Sequence, residues 1–328
     1  VPGDERDGEE HLGEVELTNL DQPLFDGAEA TKRDLVDYLD AVAGPLLEQL
    51  KGRPLSVMRA LRGRRPFMQK NVPRYVPSWI ETVGVWAEAS RREVRYALCD
   101  DRATLRWFAN QRAVEYHPAL VRIDLPGGPR QTDLVLDVDP PAGAPFEVVV
   151  RTARLIRQAL ADAGLSGAVK TSGAKGVHVL VPIAPAANGE QLAAATRALA
   201  ARAERLDPAL ATTTYVVADR GGKVFVDATR AGGATVVAAY SPRIRPGTTV
   251  SCPLRWADLD DARPADFTIR TVPALLRDGG DPWAEELPEP QPLPDVLVEE
   301  GRQIPVARVA AMHEGKRRAR ARRAAQEG

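Results

Sequence analysis

The chain has 328 residues, 44% of them hydrophobic, with 44 Lys+Arg against 45 Asp+Glu and a net charge of −1. That is enough for one large or two ordinary domains with a full core, and any basic surface has to be local because the overall charge favours no class of partner. Two distant cysteines, four histidines, no apolar run of membrane length and an acidic start argue against a disulfide framework, a Cys/His zinc site, a membrane span and a signal peptide; a cytoplasmic protein is expected.

Residues 1–13 are charged and Gly-rich and are expected to be disordered. Val15 and Leu17 suggest a short strand. Thr31 is a candidate N-cap with Asp34 three residues on, and Leu35, Leu39, Val42 and Leu46 keep helical spacing to about Leu50. Residues 51–75 are strongly basic and include Arg59, Arg64, Arg65 and Lys70, with Phe67 and Tyr75 among them. Arginine with aromatics can hold single strands and unpaired bases, whereas a solvated loop is the ordinary fate of a charge run. Residues 94–98 fit a strand and 101–115 a helix ending before His117-Pro118.

Residues 132–139 then read as a buried strand with Leu134, Leu136 and Val138 on one face and Asp137 and Asp139 on the other. Same-face residues are roughly 6.5–7 Å apart, a spacing from which two carboxylates can reach a metal pair used for displacement at phosphorus. Taken alone, the same residues are equally a strand end followed by a Pro turn. A helix over 147–163 follows, with Gly164 as its cap. Next come strands 168–171 and 176–183, an Ala-rich helix 189–206, and a hairpin from 213–218 and 223–227 around Gly221-Gly222. Without the extra hairpin strand the order is β-α-β-β-α-β, the ferredoxin-like one. The fold class expected is α+β, with a ferredoxin-like or RRM-like antiparallel catalytic sheet, helices on one face, and a second α/β subdomain packed with it. Residues 232–256 suggest sheet-edge loops and strands. Residues 278–294, with five prolines, read as a tether, and 299–328 as a terminal helix or basic tail.

Two further stretches carry chemistry. In Thr171-Ser172-Gly173-Ala174-Lys175-Gly176-Val177-His178, glycines let backbone N–H groups approach an anion, Lys175 supplies a point charge, and Ser172 and His178 can bond phosphate oxygens. The spacing is not that of a Walker A loop, and a plain Gly hairpin is the alternative. In Lys223-Val224-Phe225-Val226-Asp227, a short strand again ends in a carboxylate. A ferredoxin-like sheet makes its first and last strands neighbours, which would bring Asp227 to Asp137 and Asp139, a set suited to two hard divalent cations.

These three stretches, Leu134–Pro140, Thr171–His178 and Val224–Asp227, resemble the motifs of the archaeo-eukaryotic primase superfamily, and more closely the polymerase domain of bacterial DNA ligase D. The flanks Leu17-Thr18-Asn19-Leu20-Asp21, Thr31-Lys32-Arg33-Asp34, Tyr96-Ala97-Leu98-Cys99-Asp100, Glu115-Tyr116-His117-Pro118 and Tyr240-Ser241-Pro242-Arg243-Ile244-Arg245-Pro246-Gly247 are similar too. The resemblance implies a primase-polymerase domain over 14–280, its catalytic part about 132–230, followed by a tether and tail over 281–328. It implies a DNA-templated enzyme of non-homologous end joining that fills gaps at broken, 5′-phosphorylated ends with NTPs or dNTPs, favouring ribonucleotides. A two-metal Mn²⁺ or Mg²⁺ site would be held by Asp137, Asp139 and Asp227. Ser172, Lys175, His178, His117, Lys70, Phe67, Arg243 and Arg245 would serve the nucleotide. Lys32, Arg59, Arg64, Arg65, Arg220, Lys223 and Arg230 would serve DNA. A Ku-type end-binding protein and a separate ligase are the implied partners. The chain departs from the family pattern at Gln22, Met58, Met68 and Arg230-Ala231, positions that bear on the 5′-phosphate, the templating base and the sugar. No KxDG ligase motif follows, as expected of a stand-alone homologue or an excised domain. Two rivals stay open on the residues: a non-catalytic DNA-end-binding module, and a DxD nucleotide-sugar transferase.

Overall fold

The structure, a computed structural model, describes residues 15–87, 91–185, 187–229 and 234–306. The expected N-terminal disorder, Arg230 and the basic end of the tail lie outside the described residues.

The first part is mixed. Helix α1 (Lys32–Ala41) starts at Thr31 with a full capping box, the Thr31 side chain accepting from Asp34 N and the Asp34 carboxylate from Thr31 N. Helix α2 (Ala43–Leu50) follows after a break at Val42. One continuous helix is ruled out by Pro45, which has no N–H to give the carbonyl four residues back. Strands β1 (Leu55–Arg59), β2 (Phe67–Gln69), β3 (Thr82–Ala87) and β4 (Arg92–Ala97) form a sheet in the order β2-β1-β4-β3. Helix α3 (Arg102–Asn110) is capped by Asp101. It ends five residues earlier than its periodicity suggests, because Arg112 is left-handed (φ 60°) and the chain turns into β5 (Ala113–Pro118), paired with β1. Glu115 and His117 therefore lie on a strand, not on a helix. Val15 and Leu17 form no strand; they pack on the core of this part.

A small ribbon, β6 (Val121–Arg122) with β7 (Arg130–Gln131), leads into the second sheet. Its elements are β8 (Asp133–Asp139), α4 (Phe146–Ala161), β9 (Ala168–Thr171), β10 (Val177–Pro182), α5 (Gly189–Leu206), β11 (Ala211–Thr212), β12 (Val224–Asp227) and β13 (Pro253–Leu254). The strand order is β11-β12-β8-β10-β9-β13. Its middle four strands have the ferredoxin-like order, so the last strand lies beside the first, as the sequence order required. The hairpin expected over 213–227 does not form: β11 ends at Thr212 and pairs parallel with β12, and 217–219 is a 3-10 turn. Leu134, Leu136 and Val138 face α4 and α5, where Val149, Ile156, Leu192 and Leu199 complete a dry core. This face drives assembly of the sheet, at roughly 1.5–3 kcal/mol per fully buried large side chain.

The stretch read as a tether is seated on the domain. It contains α7 (Pro282–Glu286) and is flanked by α6 (Val272–Gly279) and α8 (Asp295–Gln303). Trp283 is buried with its Nε1–H donating to Val169 O at 2.9 Å. Gln291 bonds Ser166 and bridges to Ile183. Glu300 pairs with Arg202 and Arg205 at 2.6 Å each. Prolines here stiffen a packed strap instead of loosening a linker. Among the described residues, no helix is long and apolar enough to cross a membrane.

Candidate active site

Register builds the site. Asp137 on β8 stands directly opposite Asp227 on β12 and directly opposite His178 on β10. His178 in turn faces Lys170 on β9. Directly paired residues share a face, so Asp227, Asp137, His178 and Lys170 form one row across four strands, on the face away from α4 and α5. Asp139, two residues beyond Asp137, shares that face at the strand end. Thus the three sequence-predicted carboxylates come to one end of one sheet.

Their side chains are held by protein partners. Asp137 Oδ1 lies 3.4 Å from His178 Nε2. Asp227 Oδ1 accepts from Thr229 N at 2.7 Å. Asp139 is largely exposed, and its Oδ2 lies 3.5 Å from Arg220 Nη1. Like charges at this spacing repel, and each carboxylate is turned to its own donor or cation. Among the described residues, no three His, Cys, Asp or Glu side chains converge as a ready metal cage. The donor set still suits a hard divalent cation, which takes carboxylate oxygens, and the register sets Asp227 opposite Asp137 with Asp139 on the same face.

The glycine turn closes over this end. Ser172 N–H donates to Gly176 O, and Ser172 Oγ accepts from Ala174 and Gly176 N–H, so the hydroxyl shapes the turn itself. Gly173 is left-handed (φ 66°). Gly176 is pressed on β8: a Cβ there would stand 1.9 Å from Val138 O. The turn is thereby locked to the strand that carries Asp137 and Asp139. Lys175 is exposed at its tip.

The first part contributes through β5 and the 240s. Glu115 is buried; its Oε2 lies 2.8 Å from His117 Nε2 and its Oε1 accepts from Ile244 N at 2.9 Å. Arg243 Nε lies 3.2 Å from Glu115 Oε2 as an ion pair, its N–H off the hydrogen-bond line. Arg243 Nη1 donates to Ser172 O. Burial pushes the Glu115 carboxyl up, but the His117 hydrogen bond, the Arg243 charge and the Ile244 N–H outweigh it and bring it down to about 2. Glu115 therefore ties His117 and Arg243 to the glycine turn. Arg245 is exposed.

The DNA set is divided. Arg64 and Arg65 line a cleft of about 740 Å³ with Gln22, Arg62 and Arg112, and Arg112 Nη1 is buried there without a hydrogen-bond partner. Phe67 and Lys70 are exposed on and beside β2. Lys223 is half-buried before β12. Three residues are placed otherwise than expected. Lys32 is buried, its Nζ donating to Thr18 O at 2.6 Å and Asn110 Oδ1 at 2.5 Å. Arg59 is buried and bonded to Gln111 O at 2.8 Å and Gln69 Oε1 at 2.7 Å. Arg220 stacks on Phe225 at 3.8 Å, donates to Thr214 O and Tyr215 O, and reaches Asp139. A cation spent on internal carbonyls anchors loops and has little left for phosphate. Sequence reasoning missed Lys170 and Ser251 altogether. The available signal was a lysine inside an otherwise apolar strand, in hairpin register with His178.

The sheet order and its acidic end define an α+β domain whose second sheet gathers three carboxylates and a histidine at one end of the strands. Residues 31–283 match the family described as LigD, primase-polymerase domain, and the chain belongs to that family. The bifunctional non-homologous end joining protein LigD of Bacillus subtilis (strain 168) is 31% identical over 290 residues, covering 86% of this chain and 46% of that protein. The multifunctional non-homologous end joining DNA repair protein LigD of Mycobacterium tuberculosis (strain ATCC 25618 / H37Rv) is 33% identical over 293 residues, 86% of this chain and 38% of that protein. The chain thus spans less than half the length of these relatives. Among solved structures, the polymerase domain from Mycobacterium tuberculosis Ligase D in complex with DNA superposes with a TM-score of 0.77 at 33% identity, covering 84% of this chain and all of that one.

Proposed function

We propose that this chain performs metal-dependent, DNA-templated nucleotidyl transfer at gapped or broken, 5′-phosphorylated duplex ends in double-strand-break repair, with ribonucleotides preferred. The observation that carries the reading is the register row Asp227–Asp137–His178, with Asp139 at its end. Asp137, Asp139 and Asp227 would hold Mn²⁺ or Mg²⁺, which when bound supplies activation of a 3′-hydroxyl and neutralisation of leaving pyrophosphate. The chain's own residues bind and align. Lys175 offers an ammonium to the triphosphate, the glycine turn its backbone N–H groups, and His178 and His117 their ring nitrogens. Arg243 braces the turn from behind. Arg62, Arg64 and Arg65 give the duplex a cationic cleft, whose wall Arg112 braces by bonding the carbonyls of Ala60, Pro23 and Leu24, and Phe67 with Lys70 lies open for a base and its phosphate. Catalysis of this kind rests on positioning and electrostatics.

The domain's resemblance to one solved with DNA supports the nucleic-acid part of this reading. A Ku-type end-binding protein and a separate ligase are proposed as partners at the break. The test is extension of a gapped, 5′-phosphorylated duplex with NTPs and with dNTPs, in Mn²⁺ or Mg²⁺. Templated addition lost in Asp137→Ala/Asp139→Ala supports the reading. DNA binding without any addition would reduce the chain to a binding module.

A further inference from the structure

Lys170 is the least expected residue near the site. It is 1% exposed on β9, in the middle of a sheet, and its hydrogen bonds go to a histidine and a serine. Burying an amine costs several kcal/mol unless hydrogen bonds repay it, so its partners say what it is for. They are two: His178 Nδ1 at 2.8 Å and Ser251 Oγ at 2.5 Å.

The direction of these bonds follows from the next one. Ser251 Oγ–H donates to Thr171 O at 2.8 Å. A hydroxyl has one proton, so toward Lys170 it accepts, and the amine donates. In either protonation state the amine keeps a second hydrogen that it can give to His178 Nδ1. An imidazole that accepts at Nδ1 carries its proton on Nε2. That nitrogen is the one turned to the front of the site, 3.4 Å from Asp137 Oδ1. Ser251 itself is fixed through the strand that pairs with β9, where Thr171 N and Cys252 O bond at 2.8 Å.

We propose that Lys170, anchored by Ser251, is a positioning residue that holds His178 as the Nε2–H donor and aims this N–H at the oxygens of the incoming nucleotide's triphosphate. This rests on the reading of the row as a nucleotidyl-transfer site. The relay runs Thr171 O, Ser251, Lys170, His178, each link a direct contact between protein groups. It gives β9, through Lys170, a role in the geometry of the nucleotide.

Two measurements test it. The first uses the wild-type chain labelled with ¹⁵N-histidine, with His178→Gln to assign the signal. Two-bond ¹⁵N–¹H correlations are expected to show an unprotonated, hydrogen-bonded Nδ1 and a protonated Nε2. A protonated Nδ1 overturns the proposal. The second is a double-mutant cycle on templated addition. Lys170→Met is expected to lower kcat/KM for the nucleotide by roughly 10–100-fold, the usual cost of losing a ligand's supporting partner, with affinity for DNA unchanged. In a His178→Ala background the same substitution is expected to change kcat/KM less than about twofold, because the two residues act as one unit. Additive losses would mean a merely structural lysine and overturn the proposal. If Lys170→Met fails to fold, the wild-type spectrum still decides. If the wild-type chain transfers no nucleotide, the reading of the site fails while the spectrum still decides the Lys170–His178 bond.

Discussion

Replacing Glu115 with Gln removes one charge and almost no volume. The carboxylate is buried between His117, Arg243 and Ile244 N–H, and these partners bring its pKa from an ordinary 4.5 to about 2. Each unit corresponds to about 1.4 kcal/mol, so the ionised form contributes about 3 kcal/mol at neutral pH. The sign follows from a depressed carboxyl. Its contribution is complete above the unfolded value near 4.5 and is lost as pH falls through the folded value near 2. By the same linkage, about 1 kcal/mol remains at pH 3. Urea unfolding of wild type and Glu115→Gln at pH 7 and at pH 3 reads this, since titrating groups that do not touch Glu115 cancel in the difference. The variant is expected to be less stable by about 3 kcal/mol at pH 7 and by about 1 kcal/mol at pH 3. An equal deficit at both pH values, or one below about 0.5 kcal/mol at pH 7, would refute the idea that Glu115 is an ionised tie between β5 and the glycine turn.

Two other substitutions probe the frame and the cleft. Gly176→Ala drives a Cβ to 1.9 Å from the Val138 carbonyl, a backbone atom that cannot swing aside. It is expected to cost about 2–4 kcal/mol and to lower the thermal midpoint; an unchanged midpoint would mean the turn is not pressed on β8. Arg64→Ala/Arg65→Ala is expected to weaken duplex-end binding and to flatten its salt dependence by about one unit of slope per lost phosphate contact. A slope equal to wild type would take these residues out of the interface.

Much of the catalytic half was legible because its elements are long and strongly patterned. The alternation of Leu134, Leu136 and Val138 with Asp137 and Asp139, the span 168–171 and the helix 189–206 all appear as read. Their ferredoxin-like order alone brings Asp227 beside Asp137, a contact 90 positions away that no local pattern could show. The first part was harder. The strands β1 and β2 are short and carry arginine and glutamine at partly covered positions, so the basic segment hid a sheet. The helix over 101–115 was overextended because Leu105, Phe108, Arg112 and Glu115 keep helical spacing, while tertiary pairing of 113–118 with β1 decides for a strand. Arg59 reads as a surface cation from its basic neighbours in sequence, and Lys32 from the family resemblance. Only the fold shows the carbonyls of Thr18 and Gln111 that take them inward. Prolines between 282 and 294 signalled looseness, but Trp283 and Gln291 seat that stretch on the second sheet.

The most direct measurement is single-nucleotide addition to a gapped, 5′-phosphorylated duplex in Mn²⁺ or Mg²⁺, with wild type, with chelator, and with Asp137→Ala/Asp139→Ala. Template-matched addition by wild type, abolished both by chelator and by loss of the two carboxylates, is the predicted result. Addition that survives in the double variant, at the wild-type rate and with the same metal, would contradict the assignment of the Asp227–Asp137–His178 row as the reacting centre.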